Sequence, residues 1–176
     1  MAKTYLIDVF NLLHQIPETK SLMNNNKLLD AEILFLNQVL NFVNSSNCRC
    51  ILFFDGRNPE LTAKWNSSNL RVIFCHPQTA DDKIKEHLKN LYGQRSQKGK
   101  TITVSDDHAI LSNSRRYDIK TMNSNSFISM LNNSEETSSS ENRSQEKPDT
   151  PTEAEIDEYM KLLAEDTRKK QAGKNE

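Results

Sequence analysis

Acidic residues stand where short apolar runs stop. Thr101-Ile102-Thr103-Val104 runs into Ser105-Asp106-Asp107, Tyr5-Leu6-Ile7 into Asp8, and Ile51-Leu52-Phe53-Phe54 into Asp55. Val72-Ile73-Phe74-Cys75 leads into Thr79-Ala80-Asp81-Asp82. Apolar runs this short, separated by helix-like segments, read as buried parallel strands. Ligands of such sheets bind outside the carboxyl ends of the strands, so the acids are expected on one rim. That rim is either a hydrated polar edge or a divalent-metal site. Convergent carboxylates repel one another unless a cation neutralises them, which favours the metal. Oxygen-only ligands without paired His or Cys suit Mg²⁺ or Mn²⁺ rather than zinc, and these ions assist phosphodiester displacement. Asp8, Asp81 and Asp106 are therefore the candidate catalytic and metal-binding residues, with Asp107 as a fourth metal ligand. His14, His76, His87 and His108 do not fall at ligand spacings.

Each acid also has a purely structural reading. Asp8 would cap the turn after its strand, leaving Asn11 a surface amide. Thr79 is a good N-cap with Asp82 at the third helical position, so Asp82 is assigned to the helix and Asp81 to the rim. Ser105 would cap a helix starting at Asp106, whose dipole Asp106 and Asp107 would serve. The case for chemistry is the company: Asp8, Asp81 and Asp106 each follow a separate strand.

The elements that must position these residues follow from periodicity. Strands are expected at Thr4–Asp8, Cys48–Asp55, Leu70–Cys75, Thr101–Ser105 and Tyr117–Thr121. Apolar residues at helical spacing from Leu28 to Val43 predict a core helix over Lys27–Asn44, and Ile84, Leu88 and Leu91 predict one after Thr79. Asn123 or Ser124 caps a last small helix through Leu131. The loop from Arg57 to Ser68 carries Arg57, Lys64 and Trp65. A cation-plus-aromatic loop can neutralise phosphate and stack a base; Trp65 packing on the domain is the favoured alternative. Asn11, Asp55, Arg57 and Lys64 are the candidate substrate contacts. A basic cluster, Arg95, Lys98 and Lys100, lies in the polar loop before the fourth strand.

The 176 residues allow one core-bearing domain and a tail. The formal charge of −1 gives no global basic field to announce nucleic acid, although a local patch or bound cation would supply charge. MAKTYLID lacks the pattern of a signal peptide, and no apolar run approaches a membrane span. Three cysteines without a CxxC spacing read as buried thiols in a reducing cytoplasm. From 132 to 152 the composition turns to Ser, Glu, Asn and Pro, predicting a disordered linker over 133–152. Over 153–171, Ile156, Tyr159, Met160 and Leu163 form the stripe of an amphipathic helix on a tether. Such a helix must bury its stripe, and a protein partner is the favoured place for it.

The order Leu6-Ile7-Asp8-x-Phe10-Asn11, Phe53-Phe54-Asp55-Gly56, Thr79-Ala80-Asp81-Asp82-x-Ile84 and Thr103-Val104-Ser105-Asp106 resembles the YacP-like NYN domain, a branch of the PIN-like ribonucleases. The resemblance covers about Thr4 to Asn132. It implies a Rossmann-like, three-layer α/β fold with a mainly parallel central sheet over 1–132. It also implies endoribonuclease activity dependent on Mg²⁺ or Mn²⁺. RNA is the expected substrate, and ribosome association is suggested by a branch that cleaves mRNA on translating ribosomes. Asp8, Asp81 and Asp106 match the family's acidic positions, with Asn11 and Asp55 beside them. Val9 stands where the family usually has glycine, and Lys85 where it often has glutamate. The alternative is a non-catalytic RNA- or ribosome-binding module that uses its tail helix for docking. A haloacid-type phosphatase would want Asp-x-Asp after the first strand, and Asp8-Val9-Phe10 lacks the second acid.

Overall fold

A computed structural model describes residues 2–57 and 65–141. Alternating inward residues build five parallel strands: β1 (Lys3–Asp8), β2 (Cys48–Phe54), β3 (Leu70–Phe74), β4 (Thr101–Val104) and β5 (Lys120–Met122). Their order in the sheet is β3-β2-β1-β4-β5, every neighbouring pair parallel. The chain winds outward from β1 through β2 to β3, then crosses back to lay β4 on the other side of β1. The strand order therefore reverses between β1 and β4, the switch point at whose carboxyl ends such sheets place their ligand crevice. Asp8 pairs with Phe53 on one side, and Ile7 pairs with Val104 on the other. The acid of β1 is thus set at the mouth of that crevice by register alone.

Helices α1 (Val9–Leu13), α2 (Pro17–Asn24), α3 (Leu28–Ser45), α4 (Ala80–Leu91), α5 (Arg95–Lys98), α6 (His108–Arg116) and α7 (Ser124–Glu141) complete the described residues. Tyr5, Ile7, Cys50, Leu52, Phe54 and Val72 share one apolar cluster with α1, α3 and α7. Leu6 and Phe53, on the opposite face, join Ile84, Leu88 and Leu91 of α4 and Ile110 of α6 in a second. Period-2 alternation splits β1, β2 and β3 between the two cores, which makes a three-layer α/β sandwich. Tyr5, Phe42 and Phe127 meet with ring centroids 5.5–6.0 Å apart, tying β1, α3 and α7 together. Ser114 Oγ lies 2.9 Å from Thr103 Oγ1, a buried polar link between α6 and β4.

Several expectations shift. The segment Pro17–Asn24 is helical with Pro at its start, although only Thr19 is buried and no apolar stripe announces it. The fifth strand begins three residues later than expected, because Tyr117 ends α6 and Asp118 turns at φ 57°. Trp65 is buried in the first core, as the favoured reading has it, so it is not a base-stacking ring. Cys48, Cys50 and Cys75 are free and buried. Helix α7 runs through Glu141, past the point where the loss of aliphatic residues predicts a linker. Phe127 and Leu131 anchor it, and no Gly or Pro interrupts propagation over this stretch. The rest of the predicted linker and the 153–171 helix lie outside the described residues.

Glu32, on α3, is 8% exposed, and burial raises its carboxyl to about 7 from 4.5. Between these values the folded chain holds a proton that the unfolded chain has released, so stability falls as pH rises through the window. Glu32→Gln should therefore gain roughly 1–3 kcal/mol relative to the parent at pH 8 and little at pH 4.5. Thermal melts at both pH values check this; an equal effect at the two would contradict it.

Candidate active site

Helix α1 starts at Val9 without a loop, and the Asp8 side chain makes no cap hydrogen bond to it. The structural alternative for Asp8, a side-chain cap on the following turn, is thus not what the structure shows. Its carboxylate, 6% exposed, accepts from Ser105 Oγ at 3.0 Å and from Asn11 Nδ2. Asn11 Nδ2 is also 3.3 Å from Ser105 Oγ. The contact between Asp8 and Ser105 crosses the gap between β1 and β4, the point where the strand order reverses. Ser105, whose structural reading is a helix cap, donates here to Asp8 and accepts from the Asp107 amide at 3.0 Å. Asp107 takes the capping role, accepting from the amides of Ala109 at 2.6 Å and Ile110 at 3.1 Å.

Burial raises the Asp8 pKa above the usual carboxylate value; the Ser105 and Asn11 hydrogen bonds oppose this, and the charges of Asp55 and Asp81 add to it. Two of the predicted acids therefore act on a third. Asp55 Oδ1 accepts from the Ala80 amide at 2.8 Å, docking the start of α4 on the tip of β2. Thr79 caps α4 by accepting from the Asp82 amide at 3.2 Å, as the sequence predicts. This anchoring sets Asp81, the next residue, at the rim. Asp81 Oδ2 is bound by Lys85 Nζ, one helical turn on. Asp81 Oδ1 is buried with no hydrogen-bond partner. The Asp81 hydrogen bond leads the influences that raise the Lys85 pKa, with Asp82 and Asp107 adding to it. Lys85 is thus a cation at the edge of the acidic rim.

Asp106 is placed differently. Its Oδ1 accepts from the Ser124 amide at 3.1 Å, and Gln15 donates to its Oδ2. Burial raises its pKa, but hydrogen bonds from Ser124 and Gln15 outweigh it and leave the carboxyl below the ordinary value. Asp106 therefore fastens the start of α7 and the turn after α1. Gly56 turns at φ 87°, a conformation that favours glycine, and Arg57 follows it exposed. Lys64 lies outside the described residues.

Gln15 belongs to no motif, and Phe10, although part of Leu6-Ile7-Asp8-x-Phe10-Asn11, has no site role from sequence. Phe10 is 47% exposed and meets His14 edge-on at 4.6 Å, one residue from Asn11. Its apolar side chain facing solvent beside buried Val9 and Leu12 was the available signal.

A divalent ion fits part of this rim. The donors are carboxylate oxygens, one of them buried and unpartnered, and Asp8 bears the cost of two acidic neighbours. Among the described residues, no three His, Cys, Asp or Glu side chains already stand close enough together to hold a metal ion. Asp81 Oδ1 is open to an ion, whereas an ion taking both oxygens would have to displace Lys85 from Oδ2.

The model of the YacP-like NYN domain matches residues 5–169, so the match continues well past Asn132 into the tail. No curated protein matches the chain. The crystal structure of Rae1 (YacP) from Bacillus subtilis superposes with a TM-score of 0.64 at 18% identity, over 96% of this chain and 92% of that one. A tryptophan-to-leucine point mutant of that protein gives the same score and identity over 84% and 86%. The parallel sheet, the helices on both faces and these superpositions show a PIN-like fold. The chain belongs to the YacP-like NYN domain family.

Proposed function

We propose that this protein is a divalent-metal-dependent endoribonuclease that hydrolyses RNA phosphodiester bonds, with mRNA on the ribosome as its substrate. The observation that carries the reading is the buried Asp8 carboxylate, held at the topological switch point beside Asp55 and Asp81. Family membership supports a ribonuclease-type domain. Asp8 and Asp81 would hold Mg²⁺ or Mn²⁺, with Asp106 and Asp107 on the neighbouring strand end completing the acidic set. When bound, the ion supplies charge neutralisation and Lewis acidity to displacement at phosphorus. Asn11 and Ser105 orient Asp8 through its Oδ2. Arg57 and Lys64 neutralise the RNA strand, Asn11 and Asp55 border it, and Phe10 offers a ring on which an unpaired base stacks. Ribosome association and a cytoplasmic site of action belong to this same reading. Among the described residues, no helix is long and apolar enough to cross a membrane.

The test is cleavage of a labelled mRNA by the full chain in Mn²⁺, Mg²⁺ or chelator, with and without ribosomes. Cleavage should require the metal and fall on the order of 100-fold in Asp8→Asn. Asn11→Ala should cost roughly 10-fold. Metal-independent cleavage, or RNA binding without cleavage under any metal, would sink the proposal; the second result would establish the binding-module alternative.

Lys85 gives a second expectation. Lys85→Met removes the cation that a metal taking both Asp81 oxygens must displace, so Mn²⁺ should bind this variant more tightly and raise its melting temperature more than the parent's. Equal Mn²⁺ shifts would show that the lysine does not compete.

Phe10→Ala should weaken single-stranded RNA binding by about 1–3 kcal/mol, and Phe10→Trp should retain it. Anisotropy titrations in chelator read this directly, and an unchanged affinity in the alanine variant would remove Phe10 from the substrate path.

A further inference from the structure

A second polar cleft lies away from the acidic rim, near the opposite end of the sheet. It encloses about 400 Å³ and is bordered by Arg49, Ile51, the Asn66–Asn69 turn and Arg71. Arg49 sits four residues before Phe53, the register partner of Asp8. At 3.3 Å per residue the cleft runs from about 7 Å below the level of Asp8, at Ile51 and Arg71, to about 13 Å below it, at Arg49. Ile51 pairs with Arg71, and Arg49 precedes Ile51 by two, so both arginines project from the same sheet face. With strands 4.8 Å apart and two residues of offset, their Cα atoms stand about 8 Å apart.

Both arginines are exposed, and neither makes an ion pair among the described residues. Their companions in the turn are uncharged. Ser67 Oγ accepts from the Leu70 amide at 3.2 Å, and Asn66 Oδ1 from the Val72 amide at 2.7 Å, which makes the turn a shaped wall. His87 on α4 faces this side of the sheet; burial first, then the Arg71 charge, lowers its pKa. Glu86, the acid that His87 also senses, is engaged by Lys83 at 2.9 Å. In a chain of net charge −1, this is a local positive site with hydrogen-bonding groups and no carboxylate on its border.

We propose that the Arg49–Arg71 cleft binds the phosphate backbone of single-stranded RNA, outside the catalytic rim. Guanidinium forks match phosphate oxygens in geometry, and a pair of them on one face can grip neighbouring phosphates of one strand. The cleft contributes affinity and direction to the RNA, with no selection among bases. The inference rests on RNA as the substrate, but not on cleavage.

The experiment is anisotropy of fluorescein-labelled oligouridylate with the full chain in chelator, across a salt series. Variants are Arg49→Ala/Arg71→Ala and, as a charge-retaining control, Arg49→Lys/Arg71→Lys. The alanine pair should bind about tenfold more weakly at low salt, with the slope of log K against log salt reduced by about 1.4, or 0.7 for each lost phosphate contact. The lysine pair should keep most of the slope. Unchanged affinity and slope in the alanine pair, or no binding by the parent, would overturn the phosphate site. So would loss of ribosome binding without loss of oligouridylate binding, which would make the cleft a surface for protein. If the alanine pair fails to fold, Arg71→Glu alone must still lower the slope. A parent that binds through these arginines but never cleaves leaves this site standing and refutes the proposed nuclease. A parent that cleaves with an unaltered slope in the variants does the reverse.

Discussion

A carboxylate withheld from water beside two others is the constraint on which the rest of this structure depends. Asp8 lies at the end of a strand paired on both sides, so backbone register fixes its place before any side chain acts. Hydrogen bonds from Ser105 and Asn11 support its charged form, while burial and the charges of Asp55 and Asp81 oppose it. Burying negative charge in this way is costly unless a cation arrives. The surrounding elements serve that arrangement. Asp55 docks α4 and brings Asp81 to the rim, while Asp106 secures α7 and Asp107 secures α6.

Lys85 and a divalent ion are alternative answers to the same electrostatic problem. The lysine reaches only Asp81 by hydrogen bond and leaves that residue's other oxygen buried and unpartnered. A tethered ammonium donates to oxygens around one point, whereas an ion can take ligands from several strand ends at once. The structure thus has a rim of carboxylates together with a lysine that holds one of them. Phosphate neutralisation need not come from the same groups. Arg49 and Arg71 lie far enough along the sheet for RNA contact and metal chemistry to be separable.

Much of this was legible in the sequence. The β-branched and aliphatic runs mark the strands because burial on both faces leaves no room for polar alternation, and the stripe from Leu28 to Val43 marks α3. The acids after the strands follow from parallel topology. Partner choice was less legible. Ser105 and Asp107 are both good caps; Asp107 caps the helix, while Ser105 accepts from the Asp107 amide and donates to Asp8, 97 residues away and beyond any local pattern. Asp106 reads as a rim acid from spacing, but its oxygens go to Ser124 and Gln15, contacts that no local pattern reveals. Helix α2 has a single buried residue and so lacks the stripe that would announce it. The two arginines of the cleft come from different strands and meet only through their register.

The central claim is that Asp8 and Asp81 share a divalent cation. Anomalous diffraction from crystals of the full chain grown in Mn²⁺ tests it most directly. The account predicts a manganese peak within ligand distance of both carboxylates, with Lys85 displaced from Asp81. A site without manganese at saturating concentration, Lys85 still bound to Asp81, would contradict it.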